Sequence, residues 1–142
     1  MRRVTGEDLR LRRSRAQRLL DEPVLQRLGH LDPKGRQGLL EQVLVGAGLG
    51  IARQLQELRA RRLGGDAAAV LDSVRALAGY CHLQKGGLVA DLCQSAVEQL
   101  RETGQLAAVA SLLDVIERRA EGLLAELRSA ARDDAALRLG LA

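Results

Sequence analysis

The stretch "RALAGYCHLQKGGLVADLC", Arg75–Cys93, holds two apolar helical patterns separated by a pair of glycines. Leu77, Ala78 and Cys81 continue a spacing of threes and fours that starts at Val70, Leu71 and Val74. Leu88, Val89, Leu92 and Cys93 open a second one that runs on through Ala96, Val97 and Leu100. Such spacing lays apolar side chains along one stripe of a helix. Glycines between two stripes stop the first and free the chain to reverse. The pattern predicts one helix ending near Lys85-Gly86-Gly87 and a second starting at Leu88.

The same punctuation recurs on both sides. Upstream, "GGD" (Gly64–Asp66) supplies a helix stop followed by an N-cap. Before it lies a long stripe of Leu39, Leu40, Val43, Leu44, Ala47, Ile51, Leu55 and Leu58. Gly46, Gly48 and Gly50 each weaken that helix by up to about 1 kcal/mol relative to Ala. Close approach of a neighbouring backbone is the expected compensation. "LDPKG" (Leu31–Gly35) reads as a turn, and Asp21 as the cap of a short helix over Val24, Leu25 and Leu28 with Pro23 in its first turn. Downstream, the helix from Leu88 ends at "ETG" (Glu102–Gly104). A last stripe then runs through Leu106, Val109, Leu112, Leu113, Ile116, Ala120, Leu123, Leu124 and Leu127.

Four long amphipathic helices joined by short turns predict an all-α fold, an antiparallel up-down four-helix bundle preceded by a short N-terminal helix. The 142 residues suffice for one domain. We divide them into a basic N-terminal arm or helix at 1–20, the bundle at 21–130, and a helix end or frayed tail at 131–142. Composition agrees: 46% of residues are hydrophobic, yet Tyr80 is the single aromatic. Leu, Val and Ala cores favour helices, whereas strands favour β-branched and aromatic residues.

Charge is uneven. The net +4 hides a cluster of Arg2, Arg3, Arg10, Arg12, Arg13, Arg15 and Arg18 against Glu7 and Asp8. Such an arm suits an acidic protein or nucleic acid, although the chain has almost no aromatic platform for single strands. Of 22 basic residues only Lys34 and Lys85 are lysine, a bias that points to a GC-rich bacterial genome. Cys81 and Cys93 sit on apolar stripes, where thiols act as small hydrophobes, and no run is long and apolar enough to span a membrane. A reduced, cytoplasmic protein is expected.

With these residues in view, the chain resembles the histidine phosphotransfer (HPt) domains of bacterial phosphorelays over roughly Asp21 to Ala130. "LLDEPVLQRLGHLDPKGRQGLLEQVL" is similar to their first helix, turn and second helix. "GGDAAAV" (Gly64–Val70) is similar to the start of their histidine-bearing helix, "LVADLC" (Leu88–Cys93) to the next, and "ASLLDVIERRAEGLLAELR" to the last. The resemblance implies a phosphorelay protein that meets a response-regulator receiver domain or a histidine kinase, with no cofactor of its own and Mg²⁺ only on the receiver. It places the reactive histidine of the family on Arg75, and the lysine and glycine that follow it on Ala78 and Gly79. The glycine is kept; the nucleophile and its lysine are not.

His82 is the other candidate. Seven residues advance a helix by nearly two turns, about 10.5 Å on almost the same face. Asp72, Arg75, Gly79, His82 and Gly86 therefore form one expected stripe, flanked by Ala76, Tyr80 and Leu83. An exposed neutral imidazole can attack a phosphoryl group in line, and Lys85, three residues on, would be its supporting cation. The preferred reading is a degenerate HPt-like protein that docks a partner through Asp72, Arg75, Gly79, Tyr80, His82, Leu83 and Gly86 without taking its phosphate. One alternative is an active carrier using His82 and Lys85. The other is a helical adaptor or an Arg-armed nucleic-acid binder. His30, beside the Asp32-Pro33 turn, reads as an ordinary helix-end residue. Cys81, His82 and Cys93 lack the paired spacing of a zinc site, so no metal is expected. No phosphate-binding glycine loop or catalytic triad signature is present.

Overall fold

A computed structural model describes residues 18–84 and 87–140. Among them the chain is helical: α1 Glu22–Leu31, α2 Leu39–Gly64, α3 Ala67–Cys81, α4 Leu88–Thr103, a 3-10 turn Leu106–Val109, and α5 Ala110–Arg138. No β-strand occurs among the described residues, only an isolated antiparallel bridge between Leu20 and Gln84. The all-α prediction holds. No helix is long and apolar enough to cross a membrane among the described residues.

The chain forms two compact units, one of Met1–Gly48, Leu83–Gly86 and Ala125–Ala142, the other of Leu49–His82 and Gly87–Leu124. In the first unit Leu19, Leu20, Leu44, Ala47, Leu127, Ala130 and Ala131 are buried. Residues at two sequence-based boundaries belong to this unit. Leu19 and Leu20 lie in the core although they fall inside the arm drawn at 1–20. Helix α5 runs unbroken to Arg138 and buries Ala131, so the segment drawn at 131–142 as a helix end or frayed tail begins as helix. The rest of the arm, 1–17, lies outside the described residues.

Helix α1 has Asp21 at its N-cap and Pro in its first turn, as expected, but the Asp21 side chain makes no capping hydrogen bond. Its apolar residues Val24, Leu25 and Leu28 are only half-buried. The α1–α2 turn is held by Asp32, whose carboxylate accepts the backbone N–H of Gln37 at 3.1 Å and of Leu39 at 3.4 Å. It thereby satisfies donors that a helix start leaves open. Across this turn the Arg138 guanidinium lies on Gly38 and pairs with Glu41 at 2.6 Å. Gly38 has φ +71, and a Cβ there would come 3.0 Å from Arg138 Nε.

The second unit carries the larger core, including Ile51, Leu58, Val70, Val74, Leu77, Val89, Cys93, Leu113 and Ile116. Helices α3 and α4 pack on one another. Gly87 breaks them apart in the left-handed region (φ 57), and Gly104 ends α4 in the same way, its N–H donating to Leu100 O at 2.7 Å. Helices α2 and α5 are joined by ion pairs. Arg59 meets Glu117 and Glu121, while Arg62 meets Asp114 and Glu117. Numbers rise on α2 as they fall on α5, so these two segments run in opposite directions. The last apolar stripe opens at Leu106 as predicted, but its first turn is 3-10 and the α-helix proper starts at Ala110.

Candidate functional site

Helix α3 starts where "GGD" requires. Gly65 takes φ +73, and the Asp66 carboxylate accepts the N–H groups of Ala68 at 3.0 Å and Ala69 at 3.3 Å. The cap sets the rotation of the helix. Val70, Ser73, Val74, Leu77 and Cys81 then face the core, and Asp72, Arg75 and Gly79 are exposed on the opposite side. Three members of the predicted stripe thus share one open face of α3.

The fourth does not lie on the helix. Helix α3 ends at Cys81, four residues before the predicted stop, and His82 is its C-cap, exposed and followed by turn residues. Beyond the helix, the Leu83 carbonyl receives the N–H of Asp21 at 2.9 Å, and Gln84 bridges to Leu20. A backbone group satisfied by another segment no longer needs a helical partner. Leu83 is accordingly half-buried. Lys85 and Gly86 lie outside the described residues.

Tyr80 has a second role beside the stripe. Its ring lies directly on Gly50 of α2, where a Cβ would come 2.7 Å from Cζ and closer still to Cε1 and Cδ1. The tyrosine nonetheless stays 41% exposed. The three-glycine run of α2 therefore admits an aromatic ring at Gly50 rather than a neighbouring backbone. At Gly46 nothing lies within 4 Å of an added Cβ, so no close neighbour offsets its cost there.

Gly79 is the opposite case. Nothing lies within 4 Å of a Cβ built on it. This glycine leaves a flat place on an exposed helix one turn from Arg75, an arrangement that lets another surface approach the backbone. Arg75 presents a planar guanidinium able to grip carboxylate or phosphate through paired N–H donors. This face of α3 presents an exposed cation beside open backbone.

Burial holds the two thiols protonated. Burial pushes the Cys81 thiol up to about 11 and the Cys93 thiol up to about 12, the latter helped by its neighbour Cys81. Both are free and buried. Among the described residues no group of three or more His, Cys, Asp or Glu is placed to hold a metal ion. His30 is exposed at the end of α1.

No family model matches the chain, and neither the curated proteins nor the solved structures contain a significant match. The site stands on its own geometry.

One polar feature escaped the sequence reading. Ser73 is fully buried, and its hydroxyl accepts Arg61 Nη1 at 2.9 Å while the same nitrogen donates to Ala69 O at 3.1 Å. The signal was available, since Ser73 stands between Val70, Val74 and Leu77 on the core stripe. Its partner, twelve residues away on another helix, was not.

Proposed function

We propose that the chain is an HPt-like two-component signalling protein, an antiparallel up-down four-helix bundle that docks a response-regulator receiver domain, or a histidine kinase, in the bacterial cytoplasm. In this reading it acts as a regulator that carries no phosphate. The observation that supports it is the exposed Arg75 on the middle of α3, one turn before an open Gly79 and beside Asp72. The family resemblance assigns Arg75 the place of the phosphoacceptor. An arginine there can hold an acidic surface indefinitely, because it is a permanent cation and a poor nucleophile.

The test is binding of the full chain to a panel of purified bacterial receiver domains, with and without receiver phosphorylation. At least one receiver should bind, and Gly79→Gln should weaken that binding by about tenfold, because the side chain holds the partner away from Arg75. A chain that binds neither receivers nor histidine kinases would overturn the proposal.

The exposure of His82 favours a second reading, in which its imidazole displaces the phosphoryl group from a receiver aspartate. An N–P bond then forms as the P–O bond of the acyl phosphate breaks, and the aspartate leaves as a carboxylate. An acid-labile, base-stable phosphoryl adduct lost in His82→Ala would establish this reading. Its position in a turn, outside α3, gives it less support than the helical placement expected from sequence.

A further inference from the structure

Helix α2 carries Gly46, Gly48 and Gly50, yet it is continuous from Leu39 to Gly64. Interior glycines loosen a helix because their backbone has the most freedom to lose. At Gly50 a prop is visible. The Tyr80 ring of α3 fills the space that a side chain on this residue would take, and Gly50 is buried. Ile51 and Leu55 hold the inner side of the same stretch in the core, while Leu49 on its outer side is 66% exposed.

The ring also stands at the edge of the open face of α3. Tyr80 directly follows Gly79, which has nothing within 4 Å of an added Cβ, and Arg75 lies one turn earlier. A surface that approaches the backbone at Gly79 therefore meets the exposed part of the ring as well. One side chain thus touches α2 and borders the docking face.

We infer that Tyr80 couples the docking face of α3 to α2, so that a partner covering the ring firms the helix at Gly50. This rests on the docking role proposed above. The change it requires is local. A loosely propped stretch of helix opens and recloses without global unfolding. A partner that binds better when the ring is seated on Gly50 favours the closed form. By linkage, whatever unseats the ring weakens the partner, even from a buried residue that the partner does not touch.

Hydrogen–deuterium exchange on the full chain tests the inference, with helical circular dichroism as the folding control. The probe is a receiver domain that binds the wild-type chain. Amides of residues 50–54 report on the stretch, because their hydrogen bonds span the glycines. Residues 97–101 of α4 serve as the reference and should not change. Binding should slow residues 50–54 by about tenfold in the wild type. In the free chain Tyr80→Ala should speed the same amides by about tenfold, and partner binding should then no longer slow them. Tyr80→Phe keeps the ring and should behave as the wild type. Gly50→Ala unseats the ring from the α2 side and should weaken receiver binding by about threefold or more.

Receiver binding that leaves residues 50–54 unchanged in the wild type would overturn the inference and leave the docking proposal standing. Equal slowing in Tyr80→Ala, or wild-type affinity in Gly50→Ala, would do the same. The wild-type and Gly50→Ala measurements decide the matter if Tyr80→Ala does not fold. Failure of the wild-type chain to bind any receiver would overturn both the inference and the proposal beneath it.

Discussion

The ring of Tyr80, near the end of α3, occupies the space that a side chain on Gly50 of α2 would need. Two helices of one unit are therefore matched through the smallest residue and the single aromatic residue of the chain. Gly50→Ala should lower stability by about 1–3 kcal/mol through overpacking, despite the better helix propensity of alanine. Gly46→Ala, with open space around it, should instead raise stability by up to about 1 kcal/mol. Thermal or urea unfolding compares the two. Since Tyr80 is the only intrinsic fluorophore, its emission should change in Gly50→Ala and not in Gly46→Ala. Tyr80→Ala should relieve most of the Gly50→Ala penalty, a coupling that a double-mutant cycle measures.

Arg61 is the described partner of a hydroxyl with no access to water. Arg61→Ala should cost about 1–3 kcal/mol because it strands the Ser73 oxygen in the core. Ser73→Ala should cost less, and Arg61→Ala in a Ser73→Ala background should be milder than in the wild type. Equal costs of Arg61→Ala in both backgrounds would show that the pair is not coupled.

The two thiols define an alkaline limit. Their ordinary value is 9.0, and burial raises them to about 11 and about 12 in the folded chain. The unfolded chain loses these protons first, so stability should be intact below pH 9 and fall as pH climbs from 9 toward 12. The Cys81→Ala, Cys93→Ala double variant should lack that part of the decline. At neutral pH neither native thiol should react with a disulfide reagent on the timescale on which both react in denaturant.

Asp134 makes the acidic counterpart. Burial raises its carboxyl above 3.8, helped by Glu41 and Asp32, while Arg138 and a backbone hydrogen bond from Glu41 oppose the shift. A folded state that holds its proton more tightly than the unfolded chain is favoured at low pH. Stability from this group is therefore full below pH 3.8 and is lost as pH rises through the elevated folded value. Asp134→Asn should stabilise the protein at neutral pH and flatten this part of the profile, as pH-dependent thermal melts would show. An unchanged profile would mean that Asp134 titrates normally.

The fold class was legible in the chain because helix content is written locally. Apolar residues at steps of three and four, Asp66 after two glycines, and Gly87 and Gly104 as stops all act within a few residues of themselves. The open face of α3 followed from the same periodicity once Val74 was set as the core direction, and Asp72, Arg75 and Gly79 lie on it. What the sequence could not supply was anything decided by a second segment. Helix α3 ends at Cys81, and the Leu83 and Gln84 that follow engage Asp21 and Leu20, some sixty residues away along the chain. Gly50 lies under a ring rather than a backbone, and Ser73 answers Arg61, for the same reason. Local propensity chooses helices and caps, while the side chains and termini of other segments decide where each helix stops and what its glycines admit.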